Sequence, residues 1–329
     1  MIKVCSTYTL NDLPLGTRGR VIALGMFDGI HQGHLDIIKK TVMTAERDGL
    51  TSTVQTFKNL FKSDSKPLYT SEERLNLIGE TGADELLVLD FDKVKDMEPE
   101  EYLTGILLNR CIADTLIMGE DYRFGKDAKG DVNMIKEFAR ANDIRVIVVK
   151  DRLLDGTDKK ISTTWLRDAL GQGDADLARD LCGGRNYSYS GHCVQGKQLG
   201  RTMGFPTANI VVPEDKFVVR RGVYVSRIRL GQRTLYGVTN IGRRPTLEDA
   251  VNDVVETFIF DFDEDIYGAS LTVELLHFLR PETKMTSKDD LISAVELNKA
   301  QAIDYLKDRG FCGKYHRCTA KTNHKGYIF

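Results

Sequence analysis

Apolar and polar positions alternate with two different rhythms along the chain. In the first half, short continuous apolar runs such as residues 21–24 and 144–149 are separated by stretches with apolar residues at helical spacing. Leu35, Ile38, Val42 and Ala45 fall on one helical face, so residues 35–47 are predicted as a helix after a strand over 21–26. The same reading predicts strands over 51–57, 85–89, 115–118 and 144–149, and helices over 71–81, 99–108 and 132–142. Ser71, followed by Glu72, Glu73 and Arg74, is read as the opening cap of the second helix. Two shorter helices are expected over 163–171 and 174–182. Strand–helix alternation of this kind predicts a parallel sheet wrapped by helices.

The rhythm changes near Gly183 and Gly184. Short β-branched and aromatic segments over 187–194, 223–230, 234–241, 254–262 and 270–278 are separated by glycine-containing turns. They predict a small antiparallel barrel or sandwich, closed by a helix over 288–309. The expected organisation is a first domain over 1–184, a second over 185–310, and a basic tail over 311–329. No internal repeat is visible.

At 329 residues, with 41% hydrophobic residues and 7 prolines, the chain suits two globular domains. A net charge of −2 gives no electrostatic reason to expect nucleic-acid or anionic-membrane binding. No apolar run approaches the roughly 20 residues of a membrane span. The first twelve residues lack the pattern of a signal peptide. Six scattered cysteines read as reduced thiols of a cytoplasmic protein. Cys312, His316, Cys318 and His324 in the tail fit none of the common zinc spacings and are read as a solvated segment. Oligomeric state is not legible.

Two strings carry chemistry. Gly25-Met26-Phe27-Asp28-Gly29-Ile30-His31-Gln32-Gly33-His34 joins a buried strand to a helix. Glycines allow close backbone approach, and the helix start offers free N–H groups to phosphate. His31 and His34 add hydrogen-bond donors suited to charge that develops during phosphate transfer. There is no Walker lysine. Gly119-Glu120-Asp121-Tyr122-Arg123-Phe124-Gly125 follows a strand and so lies at the carboxyl edge of the sheet. Lys160-Ile161-Ser162-Thr163-Thr164-Trp165-Leu166-Arg167 places hydroxyls at a helix start with cations on either side. The hydroxyls suit a polyphosphate or a helix cap.

The second string is Gly191-His192-Cys193-Val194-Gln195-Gly196-Lys197, continued by Gly200-Arg201-Thr202-Met203-Gly204-Phe205-Pro206-Thr207-Ala208-Asn209. Gln198 stands where a P-loop needs Ser or Thr, and no helix pattern follows, so the P-loop reading fails. A glycine-rich flap with Lys197 and Arg201 can wrap phosphates. Thr207 and Asn209 share one face of an extended segment, where two neutral oxygens can help hold Mg²⁺.

The first string resembles the HxGH signature of nucleotidyltransferases. The second resembles the riboflavin kinase signature GRxLGFPTAN, with Met203 in place of leucine. Asn240 to Thr246, Val255-Glu256-Thr257, Asp261 to Gly268 and Phe278 to Glu282 agree with it. Together they identify a chain similar to the bacterial bifunctional riboflavin kinase/FMN adenylyltransferase (FAD synthetase) family. The resemblance implies an α/β, Rossmann-like nucleotidyltransferase domain followed by an antiparallel β-barrel kinase domain. It implies conversion of riboflavin and ATP to FMN, then of FMN and ATP to FAD with release of pyrophosphate, both with Mg²⁺. By it, Glu256, His31 and His34 are the catalytic candidates. Gly25, Phe27, Asp28, Gly33, Asp121, Arg123, Lys160, Ser162, Thr163, Thr164 and Arg167 are expected at the first nucleotide site. Gly196, Lys197, Gly200, Arg201, Gly204 and Pro206 are expected at the second, with Thr207 and Asn209 as metal ligands. Three features depart from the family: Lys58-Asn59-Leu60-Phe61 replaces the usual PHP-containing string, Lys160 replaces an arginine, and the tail has no counterpart. The alternative is an active kinase joined to a nucleotidyltransferase module that is inactive or uses another acceptor.

Overall fold

The computed structural model describes residues 5–14, 19–58, 66–196, 205–245, 251–283 and 287–311. The chain folds as two compact units: Met1–Asp168 with Asp180–Gly184 and Asp215–Phe217, and Ala169–Arg179 with Arg185–Glu214 and Val218–Phe329.

The first unit is built on a parallel sheet of order β1-β4-β3-β2-β5-β6. Its strands are β1 (Ser6–Tyr8), β2 (Arg20–Leu24), β3 (Thr51–Phe57), β4 (Glu85–Leu89), β5 (Ala113–Gly119) and β6 (Arg145–Val149). Along β2, Ile22 and Leu24 enter one core and Val21 and Ala23 the other, so both faces are buried, as a helix-covered parallel sheet requires. One face carries α1 (Gln32–Asp48) and α2 (Ser71–Gly79), through Ile37, Ile38, Ala45 and Ile78. The other carries α4 (Pro99–Glu101), the π-helix Tyr102–Arg110, and α5 (Val132–Ala141). A short α3 (Phe91–Val94) precedes them, and α6 (Thr163–Gln172) follows β6.

Several sequence expectations need correction. The cap of α2 is Thr70, not Ser71: Thr70 and Glu73 form a reciprocal capping box, while the Ser71 hydroxyl donates to the Lys58 carbonyl at 2.9 Å. The helix predicted over 99–108 widens into π turns after Glu101, with the Cys111 N–H reaching the Ile106 carbonyl at 2.8 Å. Apolar spacing of four and five residues fits either helix type, so the pattern alone does not separate them. Strand β1 has no apolar alternation, and its pairing with β4 is tertiary.

The second unit is an antiparallel sheet of order β7-β12-β9-β10-β11-β8. Its strands are β7 (Ser188–His192), β8 (Thr207–Val211), β9 (Gly222–Leu230), β10 (Arg233–Pro245), β11 (Val251–Ile259) and β12 (Ser270–Pro281). A bridge between Val194 and Asn209 nearly closes the sheet into a barrel. Gly222 is needed where β9 meets β12: its φ is 150°, and an added Cβ would lie 2.4 Å from the Arg280 carbonyl. Here α7 (Ala175–Leu181) falls across the two units, and α8 (Lys288–Asp308) packs Ala302 and Leu306 against Val223, Val225, Tyr236 and Val238.

Buried charges staple the first unit. Arg20, 2% exposed, pairs with Glu85 at 2.7 Å and donates to the carbonyls of Cys111 and Pro14. Lys216, fully buried, pairs with Glu73 at 2.5 Å. Burial pulls its pKa down to about 8, with Glu73 opposing.

Glu85→Ala strands the Arg20 charge and should cost on the order of 3 kcal/mol. The only tryptophan, Trp165, lies in this unit, so urea unfolding followed by its fluorescence reads the loss. The Lys216 shift has a definite sign. Between pH 8 and 10.5 the unfolded chain holds a proton that folded Lys216 has released, so this group adds stability as pH rises. Lys216→Met should remove that rise from the same fluorescence-monitored midpoint.

Candidate active sites

The chain winds from β2 outward through β3 and β4, then crosses back to start β5 on the other side of β2. The crevice between the carboxyl ends of β2 and β5 is the topological switch point, where open α/β sheets take ligands. The loop after β2 is held in an uncommon conformation: Phe27, Gly29 and Ile30 have φ of 54°, 87° and 45°. His31 caps α1, its Nδ1 accepting from the His34 N–H at 3.4 Å. That assigns the ring hydrogen of neutral His31 to Nε2. The two imidazoles stack at 3.7 Å, and Phe27 meets His34 edge-on at 5.4 Å. Gly33 permits this, since a Cβ there would come within 3.3 Å of the His31 ring.

Asp28 fixes the loop to its surroundings. Its carboxylate accepts from the Leu68 N–H at 3.0 Å and from Arg167 at 2.9 Å, and its carbonyl accepts from the Thr163 hydroxyl at 3.0 Å. Burial raises the Asp28 pKa, against the Leu68 hydrogen bond and the Arg167 and Arg74 charges. Arg74, named from the sequence only in the opening of α2, is fully buried and donates to the Met26 carbonyl, the Thr56 hydroxyl and the Phe57 carbonyl. Burial brings its pKa down to about 10, yet it stays charged at neutral pH beneath the loop.

A cavity of about 880 Å³ opens at this edge. Of the residues expected there, Gly25, Phe27, Asp28, His34, Asp121, Arg123, Thr163, Thr164 and Arg167 line it. His31, stacked on His34, and Gly33, beside the His31 ring, are not among the lining residues. The Ser162 hydroxyl accepts from the Trp165 N–H at 3.2 Å and so caps α6. Lys160 lies between Asp121 at 2.8 Å and Asp151 at 2.9 Å. Desolvation lowers its pKa, but the two carboxylates outweigh it and hold the value above that of an ordinary lysine. The sequence reading missed the aromatic wall of this cavity: Phe57, Phe91, Tyr102, Tyr122 and Phe124. The two aromatics inside the Gly119–Gly125 string were its visible trace.

In the second unit, the register of three strands assembles the site. Glu256 on β11 lies directly opposite Asn209 on β8 and Asn240 on β10. Directly opposed residues share a face, as do Thr207 and Asn209 two positions apart. The Thr207 hydroxyl donates to Glu256 Oε1 at 2.9 Å. Asn209, 3% exposed, donates to the Thr207 carbonyl at 3.3 Å. Gly196 sits over it, where a Cβ would lie 2.7 Å from the amide nitrogen. Pro206 is exposed just before β8. Lys197, Gly200, Arg201 and Gly204 lie outside the described residues, as does the tail after residue 311.

Both halves match known families. A riboflavin kinase family profile covers residues 183–306, and an FAD synthetase profile covers residues 14–165. A bifunctional riboflavin kinase/FMN adenylyltransferase of Bacillus subtilis is 32% identical over 302 residues, 88% of this chain and 93% of the relative. The protein of that description from Escherichia coli K12 is 30% identical over 296 residues, again 88% and 93%. This chain belongs to the bifunctional riboflavin kinase/FMN adenylyltransferase family.

That family membership accounts for a parallel-sheet unit and a barrel unit in this order. A crystal structure described as a macrolide-efflux protein of Streptococcus pneumoniae shares the fold, with a TM-score of 0.80, 27% identity, and coverage of 91% of this chain and 99% of that one. Among the described residues here, no helix is long and apolar enough to cross a membrane.

Proposed function

We propose that the chain makes flavin cofactors in two steps, with the barrel over 185–310 phosphorylating riboflavin and the parallel-sheet domain over 1–184 adenylylating the FMN produced. ATP is the co-substrate of both reactions. The observation that carries the kinase assignment is the Thr207–Glu256 hydrogen bond at 2.9 Å, within the row that Asn209 and Asn240 complete.

Glu256 is the base. Its Oε1 is oriented by Thr207, and its carboxylate accepts the proton of the riboflavin 5′-hydroxyl as phosphoryl transfer proceeds. Thr207 and Asn209 suit a hard cation: the Thr207 hydrogen is directed at Glu256 and the Asn209 N–H₂ at a carbonyl, which leaves oxygen lone pairs as donors. These two residues would hold Mg²⁺, which supplies charge neutralisation at the transferred phosphoryl group when bound. Gly196, Lys197, Gly200, Arg201, Gly204 and Pro206 are the residues we assign to binding the phosphates of ATP in this domain.

In the first domain the N-terminus of α1 and the stacked His31–His34 pair face the phosphates. The first turn of α1 holds no acidic residue, so its dipole is not offset. His31 Nε2–H and His34 donate to phosphate oxygens as charge builds on departing pyrophosphate. Gly25, Phe27, Asp28 and Gly33 shape the loop. Asp121, Arg123, Lys160, Ser162, Thr163, Thr164 and Arg167 complete the nucleotide side. We read Cys111 and Cys193, among the described residues, as reduced thiols, which supports a cytoplasmic setting.

Incubation with riboflavin and MgATP, followed by chromatography of flavins, should yield FMN and then FAD; FMN alone would favour an inactive or repurposed first domain. Glu256→Gln should abolish FMN formation and spare FAD formation from supplied FMN. His31→Ala should lower pyrophosphate release at least about a hundredfold and leave FMN formation unchanged. An unaltered FAD rate in that variant removes the histidine pair from the reaction.

A further inference from the structure

Strand β3 carries one polar side chain that its fold does not need. Gln55 is fully buried on a strand whose other buried polar residues, Ser52, Thr53 and Thr56, have hydroxyls bonded to neighbours. Its carbonyl oxygen accepts a hydrogen bond from the Tyr102 hydroxyl. Its amide nitrogen meets no hydrogen-bond partner among the described residues. An unpaired buried donor is destabilising, a cost that a methionine of similar length would avoid. Such a cost marks a position held for function.

The bonds beyond Gln55 reach the 880 Å³ cavity. Tyr102 and Tyr122 both line it, and their hydroxyl oxygens lie 3.3 Å apart. Burial pushes the Tyr122 pKa up to about 12 and raises that of Tyr102 well above the ordinary phenol value, so both phenols keep their protons at neutral pH. Each hydroxyl has one hydrogen to give. Tyr102 gives its hydrogen to Gln55, so the hydrogen between the two tyrosines comes from Tyr122. The Tyr122 oxygen then has only lone pairs left for a ligand. Phe124 stacks on Tyr122 at 5.8 Å and lies 5.3 Å from Tyr102, which makes the surrounding wall aromatic and suited to a flat ring.

We infer that Gln55 is a positioning residue for acceptor recognition: through Tyr102 it fixes the Tyr122 oxygen as a hydrogen-bond acceptor that selects the imide N–H edge of a flavin ring. This rests on FMN being the acceptor in the first domain. The edge of an isoalloxazine carries one N–H, at N3, between two carbonyls. An acceptor-only tyrosine matches that N–H and repels the carbonyls beside it. With the hydrogens running the opposite way, Tyr122 would donate, and a carbonyl would be preferred instead.

The test compares FMN with N3-methyl-FMN as substrates for pyrophosphate release from ATP, in the full chain. The unmodified protein should favour FMN by at least about tenfold in kcat/KM, since a polar site rejects a ligand lacking its partner group. Gln55→Met frees the Tyr102 hydrogen to turn toward Tyr122, which then donates into the cavity. The variant should raise the KM for FMN about tenfold, leave the KM for ATP unchanged, and erase most of the preference over the methylated flavin. Gln55→Glu keeps an oxygen for Tyr102 and should retain the preference. Tyr102→Phe removes the link by another route and should match Gln55→Met, which covers the case of a poorly folded methionine variant. Trp165 fluorescence reports folding of this unit. Preference for FMN unchanged in folded Gln55→Met or Tyr102→Phe overturns the inference. Absence of FAD from the unmodified protein overturns instead the acceptor assignment on which it rests.

Discussion

The constraint on which the first domain depends is the meeting of β2 with α1 at the point where the sheet changes winding direction. A strand buried on both faces must deliver its chain to a helix within a few residues, and the loop does so only by placing Phe27, Gly29 and Ile30 in left-handed conformations. That turn is held by charges on each side: Arg74 grips the Met26 carbonyl from below, and Asp28 ties the loop to Leu68, Thr163 and Arg167. Backbone strain of this kind survives only where neighbours over-determine it. The outcome is a helix start with two stacked imidazoles at the mouth of a large cavity.

The second domain reaches a comparable result by register. Glu256, Asn209 and Asn240 share one face because three adjacent strands pair with those residues opposed. A slip of one residue would send each side chain to the other face. The pairing is pinned on the reverse side by Thr239 and Thr257, whose hydroxyls meet at 2.9 Å in the core. These side chains therefore stand on paired β-strands rather than on the loops around them.

Strand rhythm and string order made both domains legible before any coordinates. The parallel sheet followed from continuous apolar runs, and Thr207 with Asn209 on one face followed from their spacing of two. The cap of α2 was misplaced by one residue because Thr70 and Ser71 are both competent caps and only the reciprocal bond with Glu73 separates them. From the sequence Arg74 reads only as part of the opening of α2, yet it is buried and bonded to the loop after β2. The sequence pattern does not single out Gln55 within the strand predicted over 51–57.

The sequence alone determined which phosphate-handling chemistries this chain carries, because backbone approach, helix-end polarity and hydroxyl spacing are local properties written into short strings. Tertiary structure decided what surrounds them. The aromatic wall draws on β3, α3, the π-helix and the loop after β5, and the row around Glu256 joins the consecutive strands β10 and β11 to the earlier β8. Long-range pairing sets those neighbours, and no local pattern records it.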